Sequence, residues 1–540
     1  MAELVDLYGF LAVLLRGINL SLEAMTVGGV IFMLLCLTPR ESPIERQCRK
    51  FLCYCSSLLA GGAVCSATLA ALVLLASTRD MSWLDLLDTT FARSAFLIAA
   101  PAVAIAIFAT RKPGGWLSIP AGVLIAGSLL TSHAFARIDD RVSLLSVTAL
   151  HHLSTAAWIG GLPYLPIALT RSNQDEPVPD QDKGMIIVRR FSRLAMISVA
   201  LLLGAGLLMA WQYVGSAAAI YGTAYGVMLV AKATLLGLLL LLGGSNFLLR
   251  RRAATALISW LQMRRSVEVE LAIGICAILT AASLTSQPPA IDMVQGRLKT
   301  GDIVTRFTPT WPRLKTPPLN ALAPATPLNV EESKRFGTPL AYVPGASYAT
   351  NGPADVEWSE YNHNWAGLCV LGMGIMALLA QRKEQRWAHH WPLGFFGFAL
   401  FLLIRADSEN WPLGPRGFWE SLQVAEVTQH RTFVVLIVLF ALFQWQVEQQ
   451  RHSRKWHALV FPAVCMAGGA LLLTHMHPLG NLKEELLAEI SHTSIALLAV
   501  MAAGARWLEL RLPRRVPALG FTWAACFMMI GLVLAFYRES

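Results

Sequence analysis

The chain is short of charge. Only 14% of its 540 residues are Asp, Glu, Lys or Arg, while 55% are hydrophobic, and the mean hydropathy is +0.52. A soluble domain carries about 25% charged residues, so an ordinary water-facing surface is excluded. There is no Gly-x-x-x-x-Gly-Lys-Ser/Thr loop and no polar stretch large enough to hold a nucleotide, which excludes pumping driven directly by ATP. The absence of Cys-x-x-Cys excludes the usual thiolate zinc pattern, and the absence of Cys-x-x-Cys-His excludes covalent haem attachment. No nucleophile–base set stands out, so no enzymatic activity is expected. The first apolar run is long and lacks a basic flank, so a cleaved leader is not expected either.

What the chain has is apolar runs of about 18–25 residues, each long enough to cross a bilayer as a helix. About fourteen meet that length criterion, from 10–37 to 518–537, with 93–110 and 492–508 short and the weakest of them. The expected fold is therefore all-α, a polytopic membrane helix bundle in two modules. Residues 1–286 hold the first eight runs and residues 361–540 the other six. Residues 287–360 are rich in proline, span no membrane and read as an extended extracytoplasmic linker.

Basic residues follow alternate runs: Arg40, Arg46, Arg49 and Lys50 after the first, Arg250, Arg251 and Arg252 after the seventh, Arg506, Arg511, Arg514 and Arg515 after the thirteenth. The intervening loops are poor in them. This positive-inside pattern, over an even number of crossings, places both termini on the extracytoplasmic side. It also accounts for the net charge of +10 without a nucleic acid partner, because the basic residues are scattered over many loops.

Eight of the twelve histidines then fall at the outer ends of their runs: His133, His151, His152, His363, His430, His475, His477 and His492. Neutral imidazoles gathered on one face suit a transition metal. His133 and the His151/His152 pair end two adjacent antiparallel runs. Thr474-His475-Met476-His477 offers imidazoles and a thioether, ligand types that suit copper as Cu(I) or Cu(II). Glu426 stands four residues before His430, on the same helix face. Asp407 and Glu409 could orient ligand imidazoles. The inner histidines, His389, His390, His452 and His457, read as interfacial anchors. Of nine cysteines, six sit singly inside apolar runs as small hydrophobes. Cys53 and Cys55, near Cys48, could hand on Cu(I), although helix packing is the simpler role.

Three charged positions fall within runs. Arg16 and Glu23 share a helix face, which suggests a structural pair. Lys232 is expected to snorkel or pack. Glu268 and Glu270 sit at the inner end of the eighth run, where solvation is expected.

Leu150-His151-His152-Leu153 running to Trp158-Ile159-Gly160-Gly161-Leu162 resembles the signature helix of the copper-resistance protein D (CopD) family. Arg190-Phe191-Ser192, Tyr225-Gly226 with Leu229 and Lys232, Asn246, and Pro288-Pro289 follow in that family's order, over roughly residues 10–290. Ser132 departs from it, since members often have glycine before the histidine. The later half, through Trp358-Ser359-Glu360-Tyr361-Asn362-His363 and Thr474-His475-Met476-His477, resembles the extra region of longer members. The resemblance implies an inner-membrane copper-handling protein working with a periplasmic copper carrier and membrane lipid. The alternative from the residues is a membrane electron carrier holding haem b between paired histidines, such as His133 with His151 or His430 with His492.

Overall fold

An apolar stretch in a bilayer has no water to bond its backbone amides, and a helix satisfies them locally. The computed structural model is accordingly helical, with no strand among the described residues. It describes residues 2–37, 43–78, 82–110, 114–168, 181–253, 257–294, 296–322, 352–382, 384–408, 410–422, 425–449, 456–474, 482–513 and 516–539. Among the described residues eleven helices are long and apolar enough to cross a membrane. Two shorter apolar helices, Gly115–Leu129 and His457–Leu472, take the places of the expected fourth and twelfth runs. Pro353–Leu379 takes the ninth. The run expected at 492–508 is much longer, Leu482–Arg511, because polar turns extend the helix beyond its apolar middle.

The chain divides into two compact units that part near Gln295. In the first, α1 (Ala2–Leu35), α2 (Pro43–Ser77), α3 (Thr90–Ala109), α4 (Ser118–Leu129), α5 (Arg141–Thr155), α6 (Gln181–Val214), α7 (Ala224–Ala253) and α8 (Leu257–Leu284) follow one another. Sequence neighbours pack as antiparallel pairs: α2 on α3, α3 on α4, α5 on α6, α7 on α8. Beyond α5 the chain widens into a π-helical turn, Ala156–Gly160, where α1 crosses it. Tyr164 is fully buried below that crossing. Its hydroxyl donates to Met25 O at 3.0 Å, and its ring stacks on Phe32 at 5.7 Å.

Residues after α8 stay on this unit. Ile291 N donates to Tyr213 O at 2.9 Å, and Arg137 pairs with Asp292 at 2.9 Å. Gly215, with φ +73°, makes the left-handed turn that closes under Ile291.

The second unit contains α9 (Thr300–Phe307), α10 (Pro353–Leu379), α11 (Gly394–Arg405), α12 (Ala425–Glu448), α13 (Val460–Leu472), α14 (Leu482–Arg511) and α15 (Pro517–Ala535). Thus Thr300–Phe307 is helical within the stretch expected to be extended, and α10 begins before residue 361, with Pro353 at its first turn, where the missing N–H costs nothing. Its core is aromatic: Trp391, Phe461, Trp523 and Phe527 meet with ring centroids 5.2–6.1 Å apart. The pair α10 and α15 is tied at one end by Asn364, which is 3% exposed. Its Oδ1 accepts from Arg313 N at 2.6 Å, and its Nδ2 donates to Leu534 O at 3.3 Å and Tyr537 O at 3.0 Å. Replacing Asn364 with leucine leaves these backbone groups unpaired. The expected loss is about 1–3 kcal/mol, read as a lower Tm of the purified protein in detergent.

Candidate ligand and metal site

Helices α1 to α8 line a partly open cavity of about 630 Å³ in the first unit. Most of its lining is aliphatic, as expected for helix faces of Leu, Ala and Ile, and the polar groups stand out against it. His133, His151 and His152, singled out from the sequence, all line this one cavity. His133 arrives from a short helix, His133–Ala136, opened by Ser132, whose Oγ accepts from Phe135 N. Ser132 therefore acts as an N-cap. His151 and His152 are adjacent on α5, about 100° apart around its axis, so they look into the cavity in different directions.

Each imidazole has its own surroundings. His152 Nδ1 lies 3.3 Å from Ser128 Oγ and 3.9 Å from Glu23 Oε1, and Ser128 donates to Glu23 at 2.9 Å. His151 Nε2 lies 3.3 Å from Lys232 Nζ. His133 sits in a corner with Tyr213 and Tyr225, centroids 6.0 and 6.3 Å away. Burial, then the nearby Arg16 guanidinium, hold the His133 imidazole below the usual histidine range, with the Leu284 carbonyl opposing them. The neutral ring is the form that ligates a metal. His133 Nε2, His151 Nδ1 and Tyr213 Oη are buried and meet no partner at full hydrogen-bond geometry among the described residues. Such atoms are uncommon in a native interior, and these three line one cavity.

The charged residues within the membrane depart from expectation. Arg16 and Glu23 do share a face of α1 and both line the cavity, but they do not pair with each other. Arg16 donates to Thr131 O at 2.6 Å, and Glu23 is held by Ser128. Two helical turns separate the pair by about 10 Å, and helices distant in sequence supply nearer partners. Lys232 reaches a histidine rather than the interface. Glu270 is not solvated: it is 3% exposed and accepts from Trp158 Nε1 at 3.1 Å and Asn246 Nδ2 at 2.8 Å. The reason is that α8 starts ten residues before the apolar run, at Leu257, so Glu270 falls inside the bundle. Sequence reasoning also passed over Met209, Tyr213 and Tyr225, which line the same cavity. Helix α6 carries no histidine, so nothing in its sequence pointed to Met209.

In the second unit His363 of α10 and His492 of α14 come within 6.3 Å, centroid to centroid. Tyr537 stacks on His363 at 4.0 Å, and Arg306 of α9 lies over the tyrosine at 4.3 Å. His363 Nδ1 faces Ser359 O at 2.9 Å, which leaves Nε2 as its outward nitrogen. His430 has Nδ1 2.8 Å from Asp407 Oδ1, the carboxylate–imidazole contact expected of Asp407. Glu426 lies on α12 with His430. His475, Met476, His477 and Glu409 lie outside the described residues. Among the inner histidines, His390 Nδ1 accepts from Trp445 Nε1 at 2.8 Å, and His389 faces Glu448 at 3.5 Å.

Among the described residues, no three His, Cys, Asp or Glu side chains converge tightly enough to cage a metal ion. Cys53 Sγ donates to Ala106 O at 3.2 Å, whereas Cys55 is buried on another face, as positions two apart on a helix must be. That pair does not converge.

Residues 185–284 match the family model described as Copper resistance protein D. Over 167 residues the chain is 34% identical to the Copper transport protein CutJ of Bacillus subtilis (strain 168). That alignment covers 31% of this chain and 29% of the relative, so the likeness spans less than a third of either protein. No solved structure matches the chain. The matched residues include α7, α8 and nearly all the visible length of α6, the helices that bring Met209, Tyr213, Tyr225 and Lys232 to the cavity. Residues 185–284 of this all-helical membrane protein are thus similar to the copper resistance protein D (CopD) family.

Proposed function

We propose that this is an inner-membrane copper-handling protein, serving copper binding, transport or resistance, which takes copper from the extracytoplasmic side. The observation that carries the reading is the first unit's cavity. It collects His133, His151 and His152, two of them with a buried nitrogen that meets no partner at full hydrogen-bond geometry among the described residues, and one wall is the segment similar to the CopD family. Imidazole nitrogen and the Met209 thioether suit copper in both oxidation states. The ligands are dispersed around the cavity, so copper binding draws them together rather than filling a finished cage. A second candidate site joins His363 and His492, with His430, Glu426 and the His475-Met476-His477 stretch as further ligands. Delivery by a periplasmic copper carrier, and termini on the extracytoplasmic side, complete the proposal.

The test is copper stoichiometry of the purified protein under reducing and oxidising conditions. Replacing His133, His151 and His152 together by alanine is expected to remove at least one equivalent of copper, while His363→Ala with His492→Ala removes a separate one. Full retention of copper in the first variant would sink the cavity site.

A second reading, haem b between histidines, is supported by the size of the cavity and its mainly apolar lining. A Soret band that survives purification from haem-replete cells would favour it, and a colourless protein would count against it.

A further inference from the structure

The cavity is much larger than its proposed cargo. A copper ion with six waters takes up roughly 200 Å³, at about 30 Å³ per water, against about 630 Å³ here. Its fixed charges also have the wrong sign for a bare cation. Arg16 from α1 and Lys232 from α7 both line it, and Glu23 is the one carboxylate among its described lining residues. That carboxylate is engaged by Ser128 and lies 3.9 Å from His152. Among the described residues neither cation forms an ion pair with a carboxylate: Arg16 donates to the Thr131 carbonyl, and Lys232 contacts His151. In an apolar cavity charges are weakly screened and an unpaired cation is costly. A net positive lining of this kind opposes a naked copper ion and favours an anion.

We infer that the cavity accepts copper as a small anionic chelate, with the chelator's carboxylates held by Arg16 and Lys232 and the metal turned toward the imidazoles. This deepens the copper reading and rests on it. The size fits, since sites for small organic ligands run from about 300 to 1,000 Å³. Arrangement fits too. Lys232 stands directly beside His151, so a carboxylate that draws the ammonium toward itself frees the imidazole nitrogen that now faces it. Arg16 has its own fork of donors, of which one terminal nitrogen is given to Thr131 O.

The test uses the full-length protein in detergent and equilibrium dialysis with three probes: Cu(II)-citrate, which is anionic; Cu(II)-diethylenetriamine, which is cationic; and metal-free citrate. Copper and radiolabelled citrate are both counted. The wild type is expected to bind the citrate complex at least tenfold more tightly than the cationic chelate, with citrate and copper retained together. Arg16→Gln and Lys232→Met should each reduce that preference about tenfold, and Arg16→Lys should keep most of it. Loss of fold in either neutralised variant does not blunt the test, because the wild-type preference between chelates is itself decisive. Copper bound without regard to chelate charge would overturn the anion site and leave the copper reading standing. Citrate bound with no copper from any complex would overturn the copper reading and leave the anion site standing.

Discussion

Substituting alanine for Gly160 is expected to prevent the first unit from closing. A β-carbon there would lie 1.8 Å from Ala24 O, and one on Gly28 would lie 2.2 Å from Ala156 O. Both obstacles are backbone atoms, so no rotamer change can relieve them. Helices α1 and α5 would have to separate, and with them Tyr164, whose hydroxyl is bonded to Met25 O. In a bilayer, helix association depends on close packing, because lipid is as apolar as the helix surface, and small residues are what let two backbones touch. Overpacking a core costs about 1–3 kcal/mol and occasionally more, and a backbone clash belongs at the upper end. The expected result is little or no monodisperse protein after detergent extraction. Gly61 provides the control, since it lies on α2 with nothing within 4 Å of the position a β-carbon would take. Gly61→Ala should be neutral or raise stability by about 0.5–1 kcal/mol, the helix preference of alanine over glycine. Equal extraction of both variants would show that the α1 crossing does not hold the unit together.

How far the sequence foretells this arrangement depends on the range of the interaction. The membrane-spanning helices were legible, because such a run declares itself by length and hydropathy alone, whereas the short helix Thr300–Phe307 was not. Grouping His133 with His151 and His152 was legible too, since a short loop between adjacent runs forces their ends together. The partners of Arg16 and Glu23 were not, because Thr131 and Ser128 lie more than a hundred residues away and helix periodicity carries no information about them. His363, His492 and Tyr537 come from three separate helices or their ends, and only packing brings them together. Glu270 was misplaced because hydropathy marks where an apolar run starts, not where the helix starts. The π-helical turn at Ala156–Gly160 left no periodic signal, being a single turn long. Such turns recur at functional sites, and this one presents Trp158 and Ile159 to the cavity.

That tryptophan leads to the second large effect. Trp158 lines the cavity with its ring while its indole N–H donates away from it, to Glu270. The carboxylate accepts from Asn246 as well, so it joins α5's π turn, α7 and α8 at one buried point. Replacing Glu270 with alanine orphans both donors. Each unpaired buried donor costs about 1–3 kcal/mol, so a loss of about 2–6 kcal/mol from the same source is expected, enough to lower Tm markedly in a detergent-stable protein. Glu270→Gln retains a carbonyl oxygen for one donor and should lose less than the alanine variant. Trp158→Phe removes a donor instead of an acceptor. Asn246 still satisfies the carboxylate, so the loss should be smaller again, apart from the indole's packing. Combining Trp158→Phe with Glu270→Ala discriminates between the two explanations of any effect. If the orphaned indole N–H is the cause, the double variant recovers part of the loss seen with Glu270→Ala alone. If Glu270 acts only by filling space, the two losses simply add, and the hydrogen-bonded link between the cavity wall and α8 would have no energetic role.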